Sequence, residues 1–196
     1  MTAGELDTKL SVLQLLKTEN CWAFNPFHQT FGHVEIKNTR NIFSTTAMSA
    51  RTVEVTVRRQ AITLRDSLLW GDKQLFISAI DDSKKHLLTI TAAEIAPVTV
   101  LRKIERYGKN EMNNPIRLAP VEQTFPAWIS EKYVKLEKDK PAANIETVFV
   151  LIVPKAVDVL AVGDLIVFGG AAYAVEICHL LDPNKNEYEI VFRGDA

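Results

Sequence analysis

The sequence predicts a mainly β protein made of two related small β-barrel or sandwich units, with one N-terminal amphipathic helix. Three observations predict it. Runs such as Thr52-Val53-Glu54-Val55-Thr56-Val57 and Thr147-Val148-Phe149-Val150-Leu151-Ile152 carry the residue types and alternation of strands with one buried face. Trp70-Gly71-Asp72 and Phe168-Gly169-Gly170 sit between apolar runs, where tight hairpin turns call for positive φ. These features also recur in one order, in the second and fourth quarters of the chain.

The recurrence opens with P-x-x-Q-T-F, as PFHQTF from Pro26 and PVEQTF from Pro120, 94 residues apart. The alternating strands follow. Asp66 and Asp164, 98 residues apart, each precede a hairpin. An aspartate there is expected to accept a backbone N–H in an Asx-type turn. Apolar return strands at 75–80 and 173–178 lead to polar loops at 81–85 and 182–186, and closing strands at 87–91 and 188–192 end each copy. The spacing between copies changes only at turns and loops, which points to duplication.

Residues 1–25 are expected to form the helix and an arm, because Leu6, Leu10, Leu13 and Leu16 (or Val12) fall at helical spacing, with Thr2 and Asp7 as caps. Trp22, Phe24, Phe27 and Phe31 form an aromatic cluster expected to lid a core. The first β-unit is placed at 26–107, with residues 98–101 as a strand leaving it. A hydrophilic linker rich in Asn, Gly and Pro follows at 108–119, and the second unit at 120–196. Long polar segments at 38–51 and 132–146 lie between the first and second strands of each copy, and long loops in compact domains tend to carry function.

The 196 residues carry a formal net charge of -1, which argues against a dedicated nucleic-acid surface. Cys21 and Cys178 lack the partners of a disulfide framework or zinc site and are expected to be small buried hydrophobes in a reducing compartment. The N-terminus lacks the pattern of a signal peptide, and no apolar run reaches the roughly 18 residues of a membrane helix. These features are read as a soluble, intracellular protein with no membrane contact. His28, His33, His86 and His179 do not form a metal-ligand pattern, and no phosphate loop or nucleophile motif appears, so no catalytic residue, metal or cofactor is assigned. Asp81, Asp82 and Asp182 are expected to be solvated turn residues. Arg58 and Arg59, with Arg65 nearby, make the best basic cluster, and the second copy lacks arginines at the matching positions around Val153-Pro154. Lys132, Lys135, Lys138 and Lys140 give the second long loop its charge. Arg58, Arg59 and these four lysines are the candidate interface residues.

The second copy resembles the small head–tail joining proteins of tailed bacteriophages, the adaptor, stopper and head-closure proteins of the neck. The resemblance rests on Trp128-Ile129, Val148-Phe149-Val150, Gly163-Asp164-Leu165-Ile166-Val167-Phe168-Gly169-Gly170 and Tyr173-Ala174-Val175. The first copy is similar more loosely, through Asp66, Trp70-Gly71, Leu75 and Ile77. The resemblance implies a non-enzymatic virion protein, made in the host cytoplasm, that forms a homo-oligomeric ring between portal and tail. Its partners would be itself, portal or adaptor and tail proteins, and, non-specifically, packaged DNA, with the two long loops as contact elements. The doubled unit and the leading helix depart from the family. A tail terminator or baseplate protein is the nearest alternative. A small-ligand-binding β-barrel with Trp22, Phe24, Phe27 and Phe31 around its pocket is another, and an enzyme without local motifs a third.

Overall fold

The computed structural model describes residues 6–37, 51–131 and 148–195, and all regular structure within them is β. The first half holds β1 (Thr8–Thr18), β2 (Cys21–Lys37), β3 (Arg51–Arg58), β4 (Ser67–Trp70), β5 (Lys73–Asp81) and β6 (Leu87–Glu94). These pair in the order β1-β4-β5-β6-β3-β2, and β2 pairs back onto β1, closing a six-stranded barrel. Leu10, Val12, Val55, Leu68, Leu75 and Ile90 fill its interior with almost no exposure, as small closed barrels require. The second half holds β7 (Val98–Lys109), β8 (Pro115–Glu131), β9 (Val148–Pro154), β10 (Leu165–Phe168), β11 (Ala171–His179) and β12 (Lys185–Asp195). Their order is β8-β7-β10-β11-β12-β9, with β8 also pairing with β9, so this circuit closes as well.

The two circuits agree strand for strand and in register. Val12 of β1 faces Leu68 of β4, as Arg102 of β7 faces Ile166 of β10. β5 bulges against β6 between Ile77 and Ala79, and β11 bulges against β12 between Val175 and Ile177. Gly71 (φ 62°) makes the first hairpin turn, and Gly169 (φ 59°) with Gly170 (φ 80°) the second, conformations that favour glycine. Asp66 Oδ2 accepts the Thr63 N–H at 2.7 Å, and Asp164 Oδ2 accepts the Ala161 N–H at 2.8 Å. Both aspartates thus bond the backbone as expected, but to the N–H three residues upstream and not two residues on as in an Asx turn.

The P-x-x-Q-T-F match is not part of this correspondence. Gly32 pairs with Thr8 on one side and Val57 on the other. Its counterpart by pairing is Ala127, opposite Val98, 95 residues further on rather than 94. One residue of slip turns every side chain to the opposite face. Phe31 is accordingly 57% exposed and Phe125 fully buried, although the motif aligns them.

The expected N-terminal helix is the strand β1. Leu10 and Val12 belong to the first-half core, while Leu13 and Leu15 alternate with them on the other face and Leu15 joins the second-half core, so burial on both faces imitates a helical period. Residues 108–119 are not a linker; they hold the end of β7, a turn and the start of β8. The strand at 98–101 starts the second circuit instead of leaving the first, since β7 pairs with β8 and β10. Cys21 is exposed and Cys178 partly so, against the expectation of burial. The segments 38–50 and 132–147, which include most of both long loops, lie outside the described residues.

Phe76, Trp128 and Ile152 form a buried cluster where the halves meet. The Trp128 ring centroid lies 4.6 Å from that of Phe76 and 5.7 Å from that of Phe24. A single parallel pairing, Cys21 with Thr124, joins β2 to β8, and the Thr124 N–H donates to Asn20 O at 2.9 Å.

Candidate assembly surface

The hairpins that open each half reach beyond their barrels and have different surroundings. In the β1–β2 hairpin, Leu15 is 9% exposed, and Trp22 and Phe24 pack with it against the second-half core. Lys17 lies with its Nζ 5.3 Å from the Trp22 ring centroid and 3.3 Å from Asp158 Oδ2. Gln123 Nε2 also donates to Asp158 Oδ2 at 2.6 Å. That hydrogen bond, helped by Lys17, holds the Asp158 carboxyl below its ordinary pKa against the opposing effect of partial burial.

The β7–β8 hairpin places its irregularity two residues further out, at Ile104–Arg106, but regains the same register at its tip, where the pair Gly108–Ile116 matches Thr18–Cys21. Two residues connect Thr18 to Cys21, and seven connect Gly108 to Ile116. The longer connection is ordered by Asn110, whose Oδ1 accepts the Met112 N–H at 3.0 Å and the Asn114 N–H at 2.9 Å. At the positions of Leu15, Trp22 and Phe24 stand Glu105, Arg117 and Ala119. Glu105 pairs with Arg117 and accepts the Tyr107 hydroxyl at 2.6 Å, and this contact raises the Tyr107 pKa. Leu118 lies over Gly108, where an added Cβ would stand 3.0 Å from its Cδ1. Every residue from 109 to 120 is exposed, with Met112 at 82%.

Of the basic candidates, Arg58 ends β3 in an exposed position. Arg59 is engaged, donating to the carbonyls of Asp82 at 3.2 Å and Lys84 at 3.3 Å and pairing with Asp82 Oδ2 at 3.0 Å. It thereby clamps the loop between β5 and β6. The second half does the same with Lys155, whose Nζ donates to Leu180 O at 2.7 Å. Comparing arginines alone could not find it. The backbones agree too: Arg59 N–H donates to His86 O and Lys155 N–H to Asn184 O, both at 2.9 Å. Lys132, Lys135, Lys138 and Lys140 lie outside the described residues.

Asp81 and Asp82 are exposed turn residues as expected, while Asp182 is partly buried; Asp81 Oδ1 accepts the Ser83 N–H at 3.0 Å and Asp182 Oδ1 the Asn184 N–H at 2.7 Å. That bond depresses the Asp81 pKa. The aromatic cluster of the first hairpin does not line one pocket: Trp22 and Phe24 pack against the second half, while Phe27 and Phe31 are each 57% exposed. A cleft between the halves, beside Arg65, Phe76, Trp128 and Asp182, encloses about 40 Å³. Drug-sized ligands occupy roughly 300–1,000 Å³. Among the described residues no group of three or more His, Cys, Asp or Glu is placed to hold a metal ion. A second-half aromatic group was visible in the sequence only as separate strand and hairpin residues. Phe168 stacks on Tyr173 with centroids 4.3 Å apart, and Phe149 and Phe192 meet the same ring edge-on. No protein-family model and no curated protein sequence matches the chain.

Proposed function

We propose that this chain is a structural virion protein that forms a ring at the head–tail junction of a tailed bacteriophage, joining portal to tail, and that its two halves are copies of one duplicated barrel. The reading rests first on the connector-like hairpin of residues 163–175. The observation that carries the duplication is the shared circuit, with matching bulges in β5 and β11 and matching aspartate turns at Asp66 and Asp164. A doubled framework with unlike outer surfaces suits an adaptor that meets a different neighbour on each side. Arg58 is matched by Pro154, and Glu94 by Phe192 of the aromatic group.

The barrel interiors favour this reading over a ligand-binding barrel, because side chains fill them. Portal, adaptor and tail proteins would be its partners, and packaged DNA a non-specific contact, with no reaction catalysed. Negative-stain microscopy of the purified protein, alone and mixed with a candidate portal, tests the reading. Rings that bind the portal are expected. A monomer that ignores the portal and is stabilised by a small molecule would contradict it.

A further inference from the structure

The first-half hairpin shows where such a hairpin docks: on the edge of β8 that faces away from β7. β9 covers that edge only from Trp128 onward, and the β1–β2 tip takes it at Thr124. The same edge exists on β2. β3 covers β2 only from Gly32 onward, and among the described residues no strand pairs with that edge between residues 22 and 31. At the 95-residue spacing that relates Gly32 to Ala127, Thr124 corresponds to Gln29. Gln29 lies between Phe27 and Phe31, two aromatic side chains each 57% exposed. An uncovered strand edge is a template for another chain.

We propose that the β7–β8 hairpin of one copy seats on the β2 edge of a second copy, with Ile116 beside Gln29, as Cys21 sits beside Thr124 within the chain. The inference rests on the ring-forming reading for taking a second copy as the occupant. The place of contact comes from the repeated register.

The chemistry of the two sides changes together. Leu15 and Trp22 on the seated hairpin become Glu105 and Arg117 on the free one. On the receiving side, Phe125, Gln123 and Asp158 become Thr30, His28 and Gln60. Those three form a polar group: Gln60 Nε2 donates to Thr30 Oγ1 at 2.9 Å, and His28 Nε2 donates to Gln60 Oε1 at 2.8 Å. A core-like joint within the chain thus has a more polar counterpart between chains, as interfaces between separately folded partners have. Tyr107, Met112, Ile116 and Leu118 supply apolar area on the hairpin, and Phe27 and Phe31 supply it on the edge. Such a contact joins unlike surfaces, so it repeats head to tail and closes into a ring where the rotation allows.

Two variants of the full chain test it, Ile116→Lys/Leu118→Lys on the hairpin and Phe27→Lys/Phe31→Lys on the edge. All four positions are exposed, and circular dichroism and thermal melts check that each variant keeps the barrel fold. Native mass spectrometry is expected to find the unaltered protein as a higher oligomer and each variant alone as a monomer. Mixing the two variants should restore one contact and give dimers that grow no further. Variants that keep the parent oligomer would overturn the hairpin contact while leaving the ring reading intact. A mixture that stays monomeric would overturn the head-to-tail contact. An unaltered protein that is monomeric at every concentration would overturn both.

Discussion

The β1–β2 and β7–β8 hairpins share a pairing register and differ in what they touch. The first buries Leu15 and packs Trp22 and Phe24 against the neighbouring half; the second carries Glu105, Arg117 and Ala119 at those places and stands exposed. Register is a property of the backbone ladder and the bulges. Seating is a property of a few side chains at the tip. The difference teaches that one strand circuit can carry two kinds of hairpin tip, one that closes the joint within the chain and one that stands exposed.

The joint should be broken most severely by Trp128→Ala. That change removes a 2% exposed indole packed on Phe24 and Phe76, and is expected to cost about 3–5 kcal/mol in chemical denaturation. Loss below about 1 kcal/mol would mean that the halves hardly depend on one another. Next comes Leu15→Ala, expected to cost about 2–4 kcal/mol from lost burial and a residual cavity. The same readout on Glu105→Ala should move little, since Glu105 is exposed.

Gly32→Ala compares the barrels themselves. A methyl there would lie 2.9 Å from Leu10 Cδ1 and Val57 Cγ1 and 3.0 Å from the Thr56 carbonyl. We expect a loss of about 1–3 kcal/mol from overpacking. Ala127 already occupies the matching place, so Ala127→Gly should be the milder change in thermal melts.

A smaller effect is expected at the Lys17–Asp158 pair. The folded carboxyl titrates below its ordinary value, so its contribution is full above the unfolded pKa of about 3.9 and is lost as pH falls through the folded pKa. The pair is half-exposed, which limits it to about 1 kcal/mol. Asp158→Asn should flatten stability against pH below about pH 4, and an unchanged acid limb in denaturant titrations would remove this carboxyl from the joint. The smallest effect belongs to Ile116→Lys, within about 0.5 kcal/mol for the isolated chain, because the residue is exposed before any partner arrives.

Strands with unbroken alternation were legible in the sequence, as were the glycine hairpin turns and the aspartates that close the turns before β4 and β10. Each depends on residues adjacent in the chain. β1 was not legible, because it buries Leu10 and Val12 on one face and Leu13 and Leu15 on the other, and their combined spacing suits a helix. Nor was the β7–β8 hairpin, whose tip lacks the apolar alternation of a buried strand and so resembles a linker. The P-x-x-Q-T-F match pointed to the right halves through a wrong register, which only strand pairing could correct. Lys155 escaped notice because a lysine and an arginine perform one task, donating to a loop carbonyl, in different chemical form.

The central claim is that one hairpin is seated within the chain and the other is seated by a second copy. Hydrogen–deuterium exchange at low and high protein concentration tests it most directly. Amides of β1 and of β2 near its turn should be protected at both concentrations. Those of the β7–β8 tip and of residues 27–31 should gain protection together, and only as the protein assembles. Protection of the β7–β8 tip that is independent of concentration, or assembly that leaves both segments exchanging freely, would contradict it.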